Sequence, residues 1–197
     1  MFCTANTIDG GELMAVLEIK VLPDPILSRV AANVEVVDDP ICRLMDDMAE
    51  TMYQAPGVGL AAPQVGQSIR VIVADPTAGE GEKQLLQIVN PVIVERSGTI
   101  QWEEGCLSVP GIQEEVERSE KVVVEGLGRD GQPLRVEAEG LLAVILQHEI
   151  DHLDGKVFVD RLNRFRRKLA LRRYDRIHAG ELEEDAPQTQ KQLRVDG

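Results

Sequence analysis

The stretch from Leu141 to His152, LLAVILQHEIDH, constrains this chain more than any other. Leu141–Leu146 is apolar throughout, and Leu141, Leu142, Val144, Ile145, His148 and His152 fall on one helical period. Gly155 lies just past the end, where a helix stop is expected. A helix this apolar has to be buried, yet it carries a His-Glu-x-x-His sequence. His148 and His152, four apart, share one face, so both imidazoles can reach one metal ion, with Glu149 beside them. The bland alternative is a chance match on a solvated helix. The apolar run argues against it, because two buried histidines without partners are costly.

The rest of the composition narrows the class. A length of 197 residues suits one domain of ordinary size, large enough to build a core without disulfides. Hydrophobic residues make up 43% and aromatics only 3%, so the core must be aliphatic, and few rings are left for binding single-stranded nucleic acid by base stacking, which argues against that class. A net charge of −13 makes the surface as a whole repel phosphate backbones. No apolar run approaches the roughly 18 residues that span a bilayer, so no membrane role is expected. The N-terminus has neither a basic stretch nor an apolar stretch of secretory type, which predicts a cytoplasmic protein. The three cysteines, Cys3, Cys42 and Cys106, are an odd count that leaves at least one thiol for chemistry.

Along the chain, residues 1–15 read as a flexible extension, 16–180 as one catalytic domain, and 181–197 as a polar, disordered tail. Asp38-Asp39-Pro40 predicts a helix start with Asp39 as N-cap and Pro40 as first helical residue, and Ile41, Leu44, Met45, Met48 and Met52 follow at helical spacing up to about Gln54. The middle reads as short strands: Ile69–Ala74, Gln84–Val89, Val92–Glu95, Val116–Arg118, Val122–Leu127 and Leu134–Ala138, with a hairpin turn at Arg129–Gln132. A last helix is expected over Leu162–Ala179. The order predicts an α+β fold: short antiparallel and mixed sheets around the central HExxH helix, with a C-terminal helix.

Two histidines need a third protein ligand if the site is to keep a position open for water. Cys106, in Glu104-Gly105-Cys106-Leu107-Ser108, is the candidate, although a free cysteine is more often a small buried hydrophobe. Gly57-Val58-Gly59-Leu60-Ala61-Ala62-Pro63-Gln64 follows a helix and lacks Gly-Lys-Ser/Thr, so it is neither a dinucleotide fingerprint nor a phosphate loop.

Taken together, Gly57-x-Gly59-Leu60-Ala61-Ala62-x-Gln64, Glu104-Gly105-Cys106-Leu107-Ser108 and Gln147-His148-Glu149-x-Asp151-His152 resemble, in order and spacing, the three signature motifs of the peptide deformylases of bacterial type. The resemblance runs from about residue 16 to 180. It implies a metallohydrolase that removes the N-formyl group from formyl-methionine on newly made polypeptides and releases formate. It also implies one Fe2+ per chain, replaceable by Zn2+, Ni2+ or Co2+. By motif position, Cys106, His148 and His152 are the implied metal ligands and Glu149 the general base and acid. Gln64 and the backbone N–H of Leu107 are the implied oxyanion donors. Val58, Trp102, Leu141, Val144 and Ile145 would wall the methionine slot, although Val144 and Ile145 read equally well as plain core. Gly59, Glu104 and Gly105 would also meet the substrate, the glycines through their backbones.

Two features depart from the family pattern: Gln113 stands where some bacterial members carry a basic residue, and the N-terminal extension has no counterpart. The segment 161–176 holds eight basic residues against one acid, and the resemblance implies that this helix docks the ribosome. A solvated helix held by Leu162, Phe165, Leu169 and Ile177 is the plainer alternative. Two rival readings are a zincin-type peptidase, which needs a ligand downstream of His152, and an inactive metal-binding module on the ribosome. Asp151 lies off the metal face, and as a buried carboxylate it needs a cation, for which Arg118 is the expected partner.

Overall fold

The computed structural model describes residues 15–78 and 80–182. The expected N-terminal extension and polar tail therefore lie almost wholly outside the described residues. Helix α1 (Asp39–Gln54) starts one residue earlier than expected. Its cap is Asp38, whose carboxylate accepts from the N–H of Ile41 at 3.2 Å, and Asp39 is already helical. Met45, Met48 and Met52 are fully buried along one face.

Among the described residues seven strands follow: β1 (Gly59–Ala61), β2 (Val71–Ala74), β3 (Leu86–Ser97), β4 (Ile100–Cys106), β5 (Val109–Arg118), β6 (Lys121–Leu127) and β7 (Pro133–Glu139). Five form one sheet in the order β1-β2-β3-β6-β7, and β4 and β5 form a separate hairpin. Every named pair is antiparallel; the expected mixed character shrinks to a lone parallel bridge, Ala32 to Ile69. The two strands expected on either side of Asn90-Pro91 are one strand, β3. The break is absorbed as a bulge with Asn90 at φ 52°, and the Asn90 amide bonds both N–H and C=O of Val34.

Helix α2 (Leu141–Leu153) carries the HExxH sequence and is buried from Ala143 onward. Gly155 closes it with φ 70°, and a Cβ there would lie 2.8 Å from the backbone of Ser28, so both the turn and the close approach require glycine. Helix α3 (Arg164–His178) starts two residues later than expected. The chain first makes a 3-10 turn over Phe158–Arg161, and Asn163 caps α3 through the N–H groups of Phe165 and Arg166.

The core is aliphatic apart from Phe158 and Tyr174, as the composition led one to expect. One cluster joins α2 to the sheet through Ile72, Ile88, Val124, Leu146 and Leu153. A second packs α1 on Leu60 and Val73. A third joins β5 to α3 through Val116, Phe158, Ala170, Tyr174 and Ile177. Of the four residues expected to hold the last helix, Leu162 and Ile177 are buried, but Phe165 is 71% and Leu169 47% exposed, and Ala170 and Tyr174 take their place. Among the described residues, no helix is long and apolar enough to cross a membrane.

Candidate active site

Two segments bring three side chains of metal-ligating type together. Cys106 ends β4, and His148 and His152 project from α2; one donor atom from each lies within 4.8 Å of the other two. Cys106 Sγ is 3.2 Å from His152 Nε2. Glu104 accepts from His148 Nδ1 at 2.7 Å, which leaves the opposite nitrogen of that ring for the centre. Cys106 is a free thiol. Burial pushes its pKa up, but the charge of His152 and hydrogen bonds from both imidazoles bring it down to about 5, which favours the thiolate.

A soft sulfur with two imidazoles is a donor set that fits a transition-metal ion in a catalytic site with a fourth position for water. The fit has a second sign: among the described residues buried Glu149 Oε2 has no hydrogen-bond partner, as expected of a carboxylate kept for a reacting molecule. His152 Nδ1 is likewise without a partner among the described residues.

Glu149 is 4% exposed. Burial raises its pKa to about 7, with the two imidazoles pulling down and Cys106 and Glu104 pushing up. A carboxyl poised there can both take and give a proton near neutrality. Gly59 in β1 lies against it: a Cβ at that position would sit 2.3 Å from Glu149 Oε1. A side chain at Gly59 would therefore displace the Glu149 carboxylate.

Gln64, expected as a surface amide when read alone, is 2% exposed. The N–H of Ala61 donates to its Oε1 at 2.8 Å, which fixes the amide with Nε2 toward the centre, 3.6 Å from Cys106 Sγ and 3.2 Å from Ser108 Oγ. Leu107 follows Cys106 in the turn between β4 and β5.

Of the expected slot residues, Ile145 belongs to the main core, with Val58 and Leu141 packed against it. Val144 is buried, Trp102 is half-buried on β4, and Gly105 is exposed beside Cys106. Glu104 needs correcting. Its carboxylate is buried and taken by Arg118 at 2.6 and 2.9 Å and by His148, so its side chain supports the centre and is closed to substrate.

Arg118 also donates to Asp151 at 2.6 Å, the pairing expected from the sequence. Sequence reasoning missed Arg161, which donates twice to Asp151 from the turn before α3. Its signal was a basic residue close after a buried acid on α2. Of the three acids downstream of His152 that a zincin could use, Asp154 pairs with Arg70 and Asp160 with Arg167 and the N–H of Val157, while Asp175 lies on α3.

A sequence profile described as Polypeptide deformylase matches residues 16–168. The chain is 53% identical over 161 residues to a peptide deformylase of Syntrophobacter fumaroxidans, covering 82% of this chain and 95% of that protein. It is 54% identical over 164 residues to one of Alkalilimnicola ehrlichii, covering 83% and 92%. The crystal structure of a peptide deformylase from Legionella pneumophila superposes with a TM-score of 0.78 at 46% identity, covering 87% of this chain and all of that one. That of Ehrlichia chaffeensis peptide deformylase in complex with actinonin gives 0.77 at 41%, covering 83% and 98%.

Proposed function

The chain belongs to the polypeptide deformylase family, metallohydrolases that remove the N-formyl group from nascent polypeptides, and we propose which residues do this here. Cys106, His148 and His152 would hold the metal. Their donor atoms, drawn within 4.8 Å of one another beside buried Glu149, carry the assignment. When bound, the metal supplies Lewis acidity toward water and the formyl oxygen.

The remaining steps belong to the protein. Glu149 accepts the proton of the attacking water and passes it to the leaving amine, so that formate and a free amino terminus result. The Gln64 Nε2 donor, held by Ala61, and the N–H of Leu107 stabilise the oxyanion on the former formyl carbon. A donor so placed contributes roughly 2.7–4 kcal/mol. Val58, Trp102, Leu141, Val144 and Ile145 bound the methionine slot, and Gly59 and Gly105 align the substrate backbone as an added strand.

The thiolate makes the donor set softer than that of a His-and-carboxylate site and supports Fe2+ as the metal, with Zn2+, Ni2+ or Co2+ as substitutes. The catalytic unit spans 16–180, and the reaction takes place in the cytoplasm, where formyl-methionyl chains are made.

Helix α3 supplies a docking face for the ribosome. Arg166 pairs with Glu114, Arg167 with Asp160 and Arg176 with Glu181. Arg164, Lys168 and Arg172, spaced by four along one face beside exposed Phe165 and Leu169, make no ion pair among the described residues. Changing these three to Gln should weaken co-sedimentation with ribosomes and flatten its salt dependence, while hydrolysis of short peptides stays normal.

The deciding experiment is anaerobic formate release from formyl-Met-Ala-Ser, run with metal analysis on wild type and Cys106→Ala. Wild type should turn over and the variant should lose both metal and activity. A variant that keeps full metal and turnover would remove Cys106 from the ligand set, and an inert wild type would favour the non-enzymatic module.

A further inference from the structure

Behind the metal helix three arginines from three elements face one recess. It has a volume of about 180 Å3 and lies between the β3–β4 turn, the end of β5 and the turn that precedes α3. Arg96 leaves β3, Arg118 ends β5 and Arg161 ends the 3-10 turn, and Thr99, Ser119 and Gln147 complete the wall. None of these residues is a candidate metal ligand.

The charges are unequally satisfied. Arg118 spans Glu104 and Asp151, and Arg161 is held by Asp151. Arg96 has no acid: one N–H reaches the Gln147 amide oxygen at 2.9 Å, and its other donors meet no acceptor among the described residues. Partial desolvation, with the positive charges of Arg161 and Arg118, pushes the Arg96 pKa down against the pull of Asp151, so the three guanidiniums stand close enough to feel one another. The hydroxyls of Thr99 and Ser119 also lack partners among the described residues. Glu117 lines the recess too, but it alternates to the other face of β5 from Arg118, and its carboxylate accepts from the Gln101 amide at 3.1 Å.

We propose that this recess is an oxyanion site that takes a phosphate group, with Arg96 as its principal donor and Arg161, Arg118, Ser119 and Thr99 around it. The choice of phosphate over carboxylate follows from the layout. A planar carboxylate is matched by a single guanidinium fork, whereas donors arriving from three directions suit an anion with several oxygens. The phosphate can be a free ion or a backbone phosphate of RNA. Arg161 lies just ahead of α3, so the second source would extend the basic face of that helix.

The test uses the zinc-loaded chain and backbone amide NMR, with inorganic phosphate and a short oligouridylate as separate probes. Chloride at matched ionic strength serves as control. Phosphate should shift the amides of Thr99 and Ser119 saturably, and Arg96→Gln should weaken that binding on the order of tenfold or more, as expected for a lost charged donor. Arg96 is exposed, and Gln147 keeps its bonds to Ser119 and Ala143, so this variant should fold as wild type. If the oligouridylate shifts the same amides and competes with phosphate, the RNA backbone is a source; if only inorganic phosphate acts, the source is the free ion. Either result supports the site. Shifts no larger than those of the chloride control, or phosphate binding undiminished in Arg96→Gln, would overturn it.

Discussion

Removing the Arg118 guanidinium should cost the fold and the metal together. Arg118 is 6% exposed and donates to two carboxylates that are each 4% exposed, Glu104 and Asp151. Burial pushes Glu104 up, but hydrogen bonds from Arg118 and His148 hold its pKa down at about 2, against 4.5 for an unperturbed side chain. A depression of that size corresponds to roughly 3 kcal/mol of stability, shared between the two donors. Breaking a buried pair by removing one partner costs about 3–5 kcal/mol by mutational experience. Arg118→Met keeps the length and removes the charge, so it should destabilise by about 3 kcal/mol and lower Tm by on the order of 10 °C. A loosened Glu104 no longer orients His148, which should weaken metal binding roughly 10–100-fold. Denaturant unfolding of the zinc-loaded wild type, Arg118→Met, Glu104→Gln and the double variant would measure the coupling. The double variant should be less destabilised than the two singles added together. The pH dependence has a fixed sign. The folded pKa of Glu104 lies below the unfolded one, so its contribution is complete above about pH 4.5 and is lost as pH falls toward 2. Arg118→Met should flatten that acid limb. A variant within 1 kcal/mol of wild type, with unchanged metal affinity and the same acid limb, would show that the network bears no load and refute the reasoning.

Glu149→Gln should keep fold and metal and lose roughly 10²–10⁴-fold in turnover, since the amide cannot accept the proton; formate release within tenfold of wild type would move that role elsewhere. Gly59→Ala should press a methyl onto the Glu149 carboxylate and lower kcat on the order of 10²-fold with little change in Tm, and a normal kcat would show that the carboxylate can yield without loss. Chelation of the metal should abolish activity and raise susceptibility to unfolding, reversibly on adding Zn2+ back; full activity in the stripped protein would contradict the ligand assignment.

The parts of the fold legible in the sequence are those whose signal is local. Helix α2 shows because its apolar period and its histidines fall on the same twelve residues, and α1 because Asp38-Asp39-Pro40 marks its start. The hairpin between β6 and β7 shows through Gly131, which takes φ 73°. Strand β1 did not show: it has three residues, all buried, inside a glycine-rich segment that reads as a turn. Strand β4 did not show either, because Gln101-Trp102-Glu103-Glu104 has no apolar alternation and is a strand only through its pairing with β5. That omission explains the error at Glu104. In a strand, neighbouring side chains point to opposite faces, so one of Glu103 and Glu104 must turn inward. Which one does so is set by the register of Glu104 against Glu114, a long-range fact that composition cannot supply.

The same long-range packing bears on how α3 should be probed. Deleting the chain from Leu162 would leave Arg161, and with it the clasp on Asp151. It would also remove Ala170, Tyr174 and Ile177, which with Leu162 cover Val109, Ile112 and Val116 of β5. The Tyr174 hydroxyl, which donates to the carbonyl of Leu22 at 2.7 Å, would be lost as well. Strand β5 carries Arg118 and pairs along β4 up to Cys106, so uncovering it would loosen the arm that presents the thiolate to α2. Truncation should therefore depress activity for structural reasons, whether or not the helix touches a ribosome. Arg164, Lys168 and Arg172 face away from that contact, so replacing them tests docking while leaving β5 covered and the metal ligands in place. If the triple Gln variant lost hydrolysis of short formyl peptides along with ribosome binding, the separation of α3 into a core face and a docking face would be wrong.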